Sequence, residues 1–368
     1  MIRRSIGFVT FAIGVVALLA LVPLAAQAPA AKGKPWAVPR TPDGKPDLQG
    51  NWSNETQTLL ERMGKQGATL TADEAKAIED RAKLVAEYRD QASDPNRPTP
   101  PKGGEDRLLA PGTPSVIEQI SAQAGGKVGG YNGFWLDPGD KVITIDGVAR
   151  SSIVIDPPDG RVPALTAEAR QRNAERMAAN KKYGEFDHPE LRGLAERCLL
   201  SFGSNAGPPM LPNYFYNNNY QIVQTKDHVM IMTEMVHDVR VVRIGAQHQH
   251  PPSNIKLWLG DSIGRWEGDT LVVETTNFHP LQRYRGASEN LKVIERFTRT
   301  GPDTIVYKFT IDDPTTFASQ WSGELPFNRI DEMIFEYACH EGNYALSNIL
   351  SGERARERRQ TEQKRQQQ

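Results

Sequence analysis

The chain has 368 residues, 38% of them hydrophobic and 24% charged, an ordinary composition for a folded soluble protein. The formal charge is −1, and it becomes −3 if Arg3 and Arg4 are lost with the leader that contains them. A balance so close to neutral argues against a nucleic-acid partner, which would require a strongly basic face.

The first 28 residues have the pattern of a secretory signal peptide. The two arginines precede an apolar run from Ile6 to Leu24, and Ala26-Gln27-Ala28 is a small-x-small cleavage site. The apolar run approaches the roughly 20 residues that cross a bilayer, so an uncleaved membrane anchor is the alternative. We predict a periplasmic or secreted protein that contacts a membrane only if the leader is retained.

The sequence contains two cysteines, Cys198 and Cys339, and both follow the leader. An oxidising compartment would allow them to pair, so we predict a disulfide bond between them. Two free, buried thiols are the alternative. The bond would fix the position of the residues that follow Cys339.

The N-terminal half of the mature chain is predicted to supply insertions rather than a domain of its own. Prolines make residues 29–46 an extended lead-in, and Asp47–Trp52 is the first strand-like run. Helices are predicted over Thr71–Gln91, where Thr71 and Glu74 have capping-box spacing, and over Thr166–Lys182. Two short runs between the helices also have strand character: Asn132–Asp137 and Ser151–Asp156.

The C-terminal half is predicted to be nearly all β. Runs of β-branched and aromatic residues are separated by turn signals at the spacing of an antiparallel meander. Gly268-Asp269 is predicted to be the two-residue turn of the central hairpin. The predicted strands are Tyr220–Thr225, His228–Ile244, Gly264–Glu267, Thr270–Phe278, Leu291–Arg299, Thr304–Ile311, Trp321–Asn328 and Met333–His340.

The predicted fold class is therefore mostly β, with the meander closing into a calycin-like barrel and with helical and loop insertions in the N-terminal half. Closure removes the exposed edges that an open sheet of this length would have. Residues 47–350 are predicted to form one such domain, and the charged, glutamine-rich residues 351–368 are predicted to be a frayed helix or disordered.

Five longer motifs stand at intervals along the chain: PRTPDGKPDLQGNW (Pro39–Trp52), WEGDTLVVETTNF (Trp266–Phe278), RGASENL (Arg285–Leu291), DDPTT (Asp312–Thr316) and YACHEGNY (Tyr337–Tyr344). With these motifs the chain resembles an uncharacterised family of exported bacterial proteins. The resemblance implies export but no activity, cofactor or catalytic residue. The calycin or lipocalin likeness is a separate inference, which rests on the strand pattern and on the Gly50-x-Trp52 signature.

Five residues are candidates for acid–base chemistry. His237 is predicted to lie in the apolar row of the strand His228–Ile244, with Arg240 on the opposite face; a core histidine bonded to the backbone is the alternative. His340 and Glu341 follow Cys339, where a disulfide would hold them at a rigid strand end. Arg240 and Arg285 are candidate anion or oxyanion partners.

Aromatic and amide side chains are the candidate ligand contacts, because they offer uncharged hydrogen-bonding and stacking groups that suit a polyol, sugar or phenolic molecule. Four of them precede or begin the predicted sheet, and two lie on its central hairpin. They are Tyr214, Tyr216, Asn217, Asn219, Trp266 and Asn277.

Imidazole and thioether groups between residues 228 and 250 raise copper or zinc binding as an alternative. The residues concerned are His228, Met230, Met232, Met235, His248 and His250. Two imidazoles make at most half a site and a strand methionine usually fills a core, so we predict no metal and no cofactor. The absence of HExxH, CxxC and phosphate-binding glycine motifs weakens zincin, thiol-redox and nucleotide-binding hypotheses.

The function that these patterns favour is cofactor-free acid–base catalysis on a small molecule at the barrel mouth, by a lyase, isomerase or hydrolase. A non-catalytic carrier of a small ligand is the first alternative. An interaction protein of the cell envelope is the second. The oligomeric state is left open by the sequence.

Overall fold

The computed structural model describes residues 36–89, 137–184, 186–201, 207–213, 217–282 and 284–367. The predicted signal peptide and most of the strand-like run at 132–137 lie outside these residues. All the elements below belong to one structural unit, Val38–Gln368.

The described residues form twelve strands and three α-helices, in the chain order that follows. They are β1 (Gly50–Ser53), α1 (Ala72–Arg89), β2 (Thr144–Ile145), β3 (Val148–Ala149), β4 (Val154–Asp156), α2 (Ala167–Asn180), β5 (Asn219–Gln224), β6 (His228–Thr233), β7 (Val239–Ile244), β8 (Asp261–Glu267), β9 (Thr270–Thr276), β10 (Lys292–Gly301), β11 (Thr304–Asp312), β12 (Trp321–Ile330) and α3 (Ala345–Gln366).

Nine of these strands close into a barrel within the described part of the chain. Strands β5 to β12 follow one another around it, and β1 completes the ring by pairing with both β5 and β12. Every neighbouring pair is antiparallel except β7 and β8, which are parallel. The predicted mostly β, barrel-type fold is confirmed, and a closed barrel is compatible with the calycin-like architecture. The residues between β1 and β5 are the predicted helical insertion.

The interior of the barrel is filled with side chains because apolar residues alternate along its strands. On β11 the inward residues Ile305, Tyr307, Phe309 and Ile311 are fully buried. Aromatic rings from neighbouring strands meet there; the ring centroids of Tyr307 and Phe327 are 5.2 Å apart. Leu48, two residues before β1, is also buried in this core. A ligand is therefore excluded from the packed centre of the barrel.

One end of the barrel, where β1 ends at Ser53 and β5 begins at Asn219, carries the inserted segments; we call it the capped end. Ile143, Ile153 and Met210 from these segments are buried in the same core as the strands. Strand β4 extends the sheet here by pairing with the start of β12. Helix α1 lies over the segments around Val142, where its Glu79 side chain accepts a hydrogen bond from the Val142 amide at 3.3 Å.

The capping and turn signals in the sequence are confirmed. Thr71 and Glu74 form the capping box of α1, with the Thr71 amide donating to Glu74 at 2.8 Å and the Glu74 amide donating to Thr71 at 3.2 Å. Thr166 caps α2. Gly268 has a φ of 59°, and Asp269 does not have a positive φ, which is the pattern of a type II′ hairpin turn.

The predicted disulfide is present: Cys198 and Cys339 are bonded, with their Cα atoms 5.7 Å apart. The C-terminal residues form a regular helix, α3, where the sequence predicts a frayed helix or disorder, and no side chain of α3 is buried. Among the described residues, no helix combines the length and apolar character needed to cross a membrane.

Two predicted strands are wrong. His228–Ile244 is not one strand, because the chain leaves the sheet after Thr233, forms a short 3₁₀ turn at Met235–His237 and returns as β7. Val236 and His237 have φ values of 65° and 47° there, a left-handed backbone that breaks the pleat. Met333–His340 has no strand pairing and follows an irregular path beside the barrel.

Candidate functional site

The break between β6 and β7 changes the surroundings of His237. Its imidazole is exposed rather than placed in an apolar row, and Nδ1 donates a hydrogen bond to the Tyr337 carbonyl at 2.9 Å. His340 and Glu341 are also exposed, on the irregular segment after the disulfide rather than at a strand end. The acid–base role of these three residues stays a prediction, and none of them lines either cavity described below.

Arg240 and Arg285 are paired with carboxylates. The break in the strand places Arg240 inside the barrel, where it is 3% exposed, so the prediction that it lies on the outer face is wrong. Arg285 is exposed and donates to Glu61 at 2.9 Å. Their role as anion partners stays a prediction, and the burial of Arg240 removes it from contact with a ligand in either cavity.

The predicted ligand contacts that the structure describes line neither of the two cavities described below. Tyr214 and Tyr216 lie outside the described residues. Asn217 has a left-handed backbone, with a φ of 58°. The side-chain amide of Asn219 donates a hydrogen bond to the buried carboxylate of Glu234 at 2.9 Å.

The two candidates on the central hairpin are also engaged in packing or hydrogen bonding. Trp266 packs against the barrel core. Asn277 holds the loop before β8, because its amide donates to the Pro251 carbonyl at 3.0 Å.

The residues Gly260–Gly264 read G-D-S-I-G, which matches the G-x-S-x-G pattern of serine hydrolases. That pattern requires the serine to stand on an exposed turn between a strand and a helix. Ser262 instead lies within β8, is 2% exposed, and shares a hydrogen bond with Thr275 at 2.8 Å. A nucleophile is therefore excluded at this position.

A buried polar network crosses the interior of the barrel. The guanidinium of Arg240 donates to both carboxylate oxygens of Glu295, one of them at 2.9 Å. The hydroxyl of Tyr307 donates to Glu295 at 2.9 Å and accepts from the Met210 amide at 2.9 Å. Burial alone would lower the pKa of Arg240, but the charge of Glu295 and its hydrogen bonds raise that pKa above its ordinary value.

This network positions the chain that leaves β1. Asn54, fully buried, donates to the Met210 carbonyl and to the Tyr220 hydroxyl, both at 3.2 Å. Met210 is in turn held by Tyr307. Asn54 directly precedes Glu55, so the ion pair in the barrel core helps to position Glu55.

A cavity of about 420 Å³ lies under α1 at the capped end; we call it the α1 cavity. The apolar wall from α1 has helical i, i+4, i+7, i+8 spacing, with Ile78, Ala82, Val85 and Ala86 on one side of the helix. Other apolar lining residues come from the inserted segments: Leu59, Met63, Leu70 and Val142. The cavity thus has the size and the mainly apolar lining of a small-molecule site.

A pair of carboxyl groups, Glu55 and Asp137, stands in the lining of the α1 cavity. Burial, followed by the hydrogen bond with Asp137 and the negative charges of Asp137, Asp140 and Glu332, raises the pKa of Glu55 to about 9. Glu55 therefore keeps its proton at neutral pH and shares it with the Asp137 carboxyl group through their hydrogen bond. Glu55 in its acid form is a hydrogen-bond donor and a potential general acid.

Backbone contacts hold the two carboxyl groups together. The chain after Glu55 runs beside residues 137–143: the Gln57 side chain donates to the Gly139 carbonyl at 2.6 Å, and the Gln57 amide donates to the Lys141 carbonyl at 2.8 Å. Asn218 donates to the Asp137 carbonyl at 2.8 Å. Gly139 has a φ of 72°, and a Cβ there would lie 2.9 Å from the Thr56 amide nitrogen, so only glycine fits this approach.

Two cations close to the α1 cavity already have carboxylate partners. Lys141 is 3.0 Å from Glu79, and Arg150 is 2.8 Å from Glu324. Arg81, which also lines the cavity, is a third cation in its wall. Neither group is recognisable as a site residue in the sequence, because the two are 82 positions apart and neither belongs to a motif. The available signal is that Glu55 closely follows a predicted strand.

We expect Glu55→Gln to flatten the pH dependence of stability. The folded protein keeps a proton that the unfolded chain loses above a pKa of 4.5, so this contribution is complete below pH 4.5 and disappears as the pH rises through about 9. The wild type should lose up to about 1.4 kcal/mol per pH unit in that window relative to the variant. Urea denaturation at a series of pH values measures the difference. Glu87→Gln, on the exposed side of α1, should keep the wild-type slope; parallel curves for Glu55→Gln would contradict the shared proton.

Comparison with known proteins adds no family to this picture. No protein-family model matches the chain, and no curated protein sequence matches it.

Proposed function

We propose that this protein is an exported β-barrel protein that binds a small, mainly apolar molecule in the α1 cavity and performs acid–base chemistry on it with Glu55 and Asp137. One observation carries the proposal: a proton-sharing carboxyl pair lines a largely apolar cavity of about 420 Å³. Clefts and cavities of roughly 300–1,000 Å³ with mainly apolar linings are typical of small-molecule sites.

The two carboxyl groups in the lining define the chemistry that the cavity can support. A carboxylic acid that keeps its proton at neutral pH can donate that proton to a leaving group or to a carbonyl or ether oxygen of a bound molecule. Asp137, which is hydrogen-bonded to Glu55, would take part in returning the proton to Glu55. The reaction classes that fit are those of the sequence hypothesis, namely lyase, isomerase or hydrolase chemistry without a cofactor, with Glu55 in place of His237 and His340.

Export is part of the proposal because two independent features support it. The first 28 residues have the pattern of a signal peptide, and the mature chain contains one disulfide, Cys198–Cys339. Disulfides form and persist in oxidising compartments, and structural disulfides are rare in the cytosol.

The binding step is tested by substituting two adjacent residues of α1. Val85→Arg places a cation in the apolar wall, whereas Leu84→Arg makes the same change at a side chain that is 64% exposed and faces away from the cavity. We expect Val85→Arg to weaken the binding of the neutral fluorescent probe N-phenyl-1-naphthylamine by about tenfold or more, a loss of about 1.4 kcal/mol, and Leu84→Arg to leave it unchanged. Equal binding by the two variants would place the ligand elsewhere.

A carrier is the second candidate, because most of the lining of the α1 cavity is apolar. The two functions differ in what Glu55→Gln does. The molecule that co-purifies with the protein is extracted, identified by mass spectrometry and incubated with wild type and variant. If the protein is an enzyme, the wild type should turn the molecule over and Glu55→Gln should bind it without turnover. Binding without turnover by both proteins would favour the carrier.

A further inference from the structure

A second polar cluster lies on the outer face of the barrel, over the parallel pair β7 and β8. Parallel neighbours cannot be joined by a tight hairpin, so residues 245–260 form a crossover between them. This crossover contains His248 and His250. It is attached to the barrel by the Gly245 amide, which donates to the Gly264 carbonyl at 3.0 Å, and by Asn277, which donates to the Pro251 carbonyl.

The imidazole of His250 has a defined orientation. Its Nδ1 lies 2.6 Å from a carboxylate oxygen of Asp261, and Arg243 donates to the two oxygens of that carboxylate at 2.8 and 2.6 Å. A carboxylate can only accept, so His250 carries a proton on Nδ1. Its other nitrogen, Nε2, is then available as a metal ligand. Metal-binding histidines commonly have this arrangement, with the second ring nitrogen donating to a carboxylate.

The free nitrogen faces a second carboxylate rather than a donor. His250 Nε2 lies 3.6 Å from Oε1 of Glu274, which is too long for a hydrogen bond. Two electron-rich atoms that are bound to one tetrahedral ion at about 2.0–2.1 Å are separated by about 3.4 Å. The distance between these two atoms is therefore close to that between two ligands of a zinc-sized ion.

The surrounding space can admit such an ion. His250 and Glu274 both line a cavity of about 410 Å³, and His248 lines it as well. None of its lining residues is shared with the α1 cavity. Across the residues that the structure describes, no three histidine, cysteine or acidic side chains already converge as metal ligands. An ion would therefore bind first to two side chains and recruit the third.

We propose that His250 and Glu274 bind a divalent transition-metal ion through Nε2 and Oε1, with Asp261 holding the imidazole in place. His248 supplies the third ligand by giving up the contact between its Nε2 and the Gln247 side chain, which are 3.3 Å apart, and water completes the coordination. Imidazole together with carboxylate suits zinc and copper among the divalent ions. The proposal differs from the prediction, made from the sequence, that no metal is bound. It does not depend on the function proposed for the α1 cavity.

The test uses zinc alone with the full-length mature protein, purified without a histidine tag and freed of metal by a chelator. Equilibrium dialysis should show one saturable zinc site per chain. We expect His250→Gln and Glu274→Gln each to weaken zinc binding at least tenfold. Asp261→Asn should weaken it by about 10–100-fold, as for other residues that orient a ligand. Glu274 is 38% exposed, so its replacement leaves the fold intact and keeps the test decisive.

His188→Gln is the matched control, since that imidazole also stands beside a carboxylate, with Nδ1 4.0 Å from Glu190, but outside this cavity. It should bind zinc as the wild type does. With copper, electron paramagnetic resonance should show nitrogen coupling that weakens in His250→Gln. Absence of a saturable zinc site in the wild type, or unchanged affinity in both Glu274→Gln and His250→Gln, would overturn the proposal. Unchanged affinity in His248→Gln would overturn the assignment of the third ligand.

Discussion

Replacing Glu295 with leucine is expected to lower the free energy of unfolding by about 3–5 kcal/mol, because the change leaves the Arg240 charge buried without its partner. The side chains of this pair are 2% and 0% exposed, so water cannot take the place of the missing carboxylate. A loss of this size is a large part of the 5–15 kcal/mol that stabilises a typical folded protein. Urea denaturation measures it directly.

Two further variants separate the pair from the rest of the core. Arg240→Met combined with Glu295→Leu removes both charges and should recover most of the loss, since a buried ion pair is often no more stable than apolar residues of similar volume. Glu267→Leu makes the same single change at an exposed carboxylate that is paired with Arg265 and Arg296, and it should cost less than about 1 kcal/mol. A cost for Glu295→Leu as small as that for Glu267→Leu would show that the pair is not buried in solution.

The same variant should affect the α1 cavity. Glu295 holds Tyr307, Tyr307 holds Met210, and Met210 accepts a hydrogen bond from Asn54, the residue before Glu55. Loosening this chain of contacts should displace the Glu55 carboxyl from Asp137. A buried network in the barrel therefore contributes to the candidate site without touching the ligand, and probe binding should weaken in Glu295→Leu even where the protein remains folded.

The strands were predictable because the signals that define them are local. Along β11, apolar and polar residues alternate over the length of the strand, and a glycine turn stands between β8 and β9. These patterns depend on a few neighbouring residues. Closure of the barrel also followed from physical reasoning, since a long meander with free edges would be prone to association.

The break between β6 and β7 could not be read from the sequence, because apolar residues keep alternating through it. Val236 and His237 adopt a left-handed backbone that neither residue favours, and Glu234, buried beside them, accepts the Phe335 amide at 2.9 Å. A distant part of the chain thus helps to impose the break. Because a strand has a period of two, the break reverses which residues face inward, and Arg240 moved from the expected outer face into the core.

The candidate site was missed for a similar reason. Glu55 and Asp137 come together only because the chain after β1 packs along residues 137–143 at the capped end. A single carboxyl group in a sequence carries no sign of the partner that will share its proton. Histidines are the usual candidates for acid–base chemistry because their ordinary pKa lies near neutrality. Burial and a neighbouring negative charge can also raise the pKa of a glutamate, which its sequence context does not reveal.

Removal of the disulfide is expected to have the second large effect. Cys198–Cys339 spans 141 residues, and for a loop of that length the chain-entropy model gives a stabilisation of about 5 kcal/mol. We expect Cys198→Ser with Cys339→Ser to lower the free energy of unfolding by a large part of that amount, because the unfolded chain regains the freedom that the bond removed. Thermal unfolding with and without dithiothreitol provides the measurement.

The location of the bond determines how the loss should appear. Residues 333–344 have no strand pairing. Besides the disulfide, their contacts with the barrel include the Phe335 amide bonded to Glu234 and the Tyr337 carbonyl bonded to His237. Without the bond this segment should open before the barrel does, so proteolysis should cut the double variant there while the strands are still folded. Dithiothreitol should destabilise the wild type and leave the double variant unchanged. Equal stability of the oxidised wild type and the double variant would contradict the prediction, because the segment would then be held by its other contacts alone.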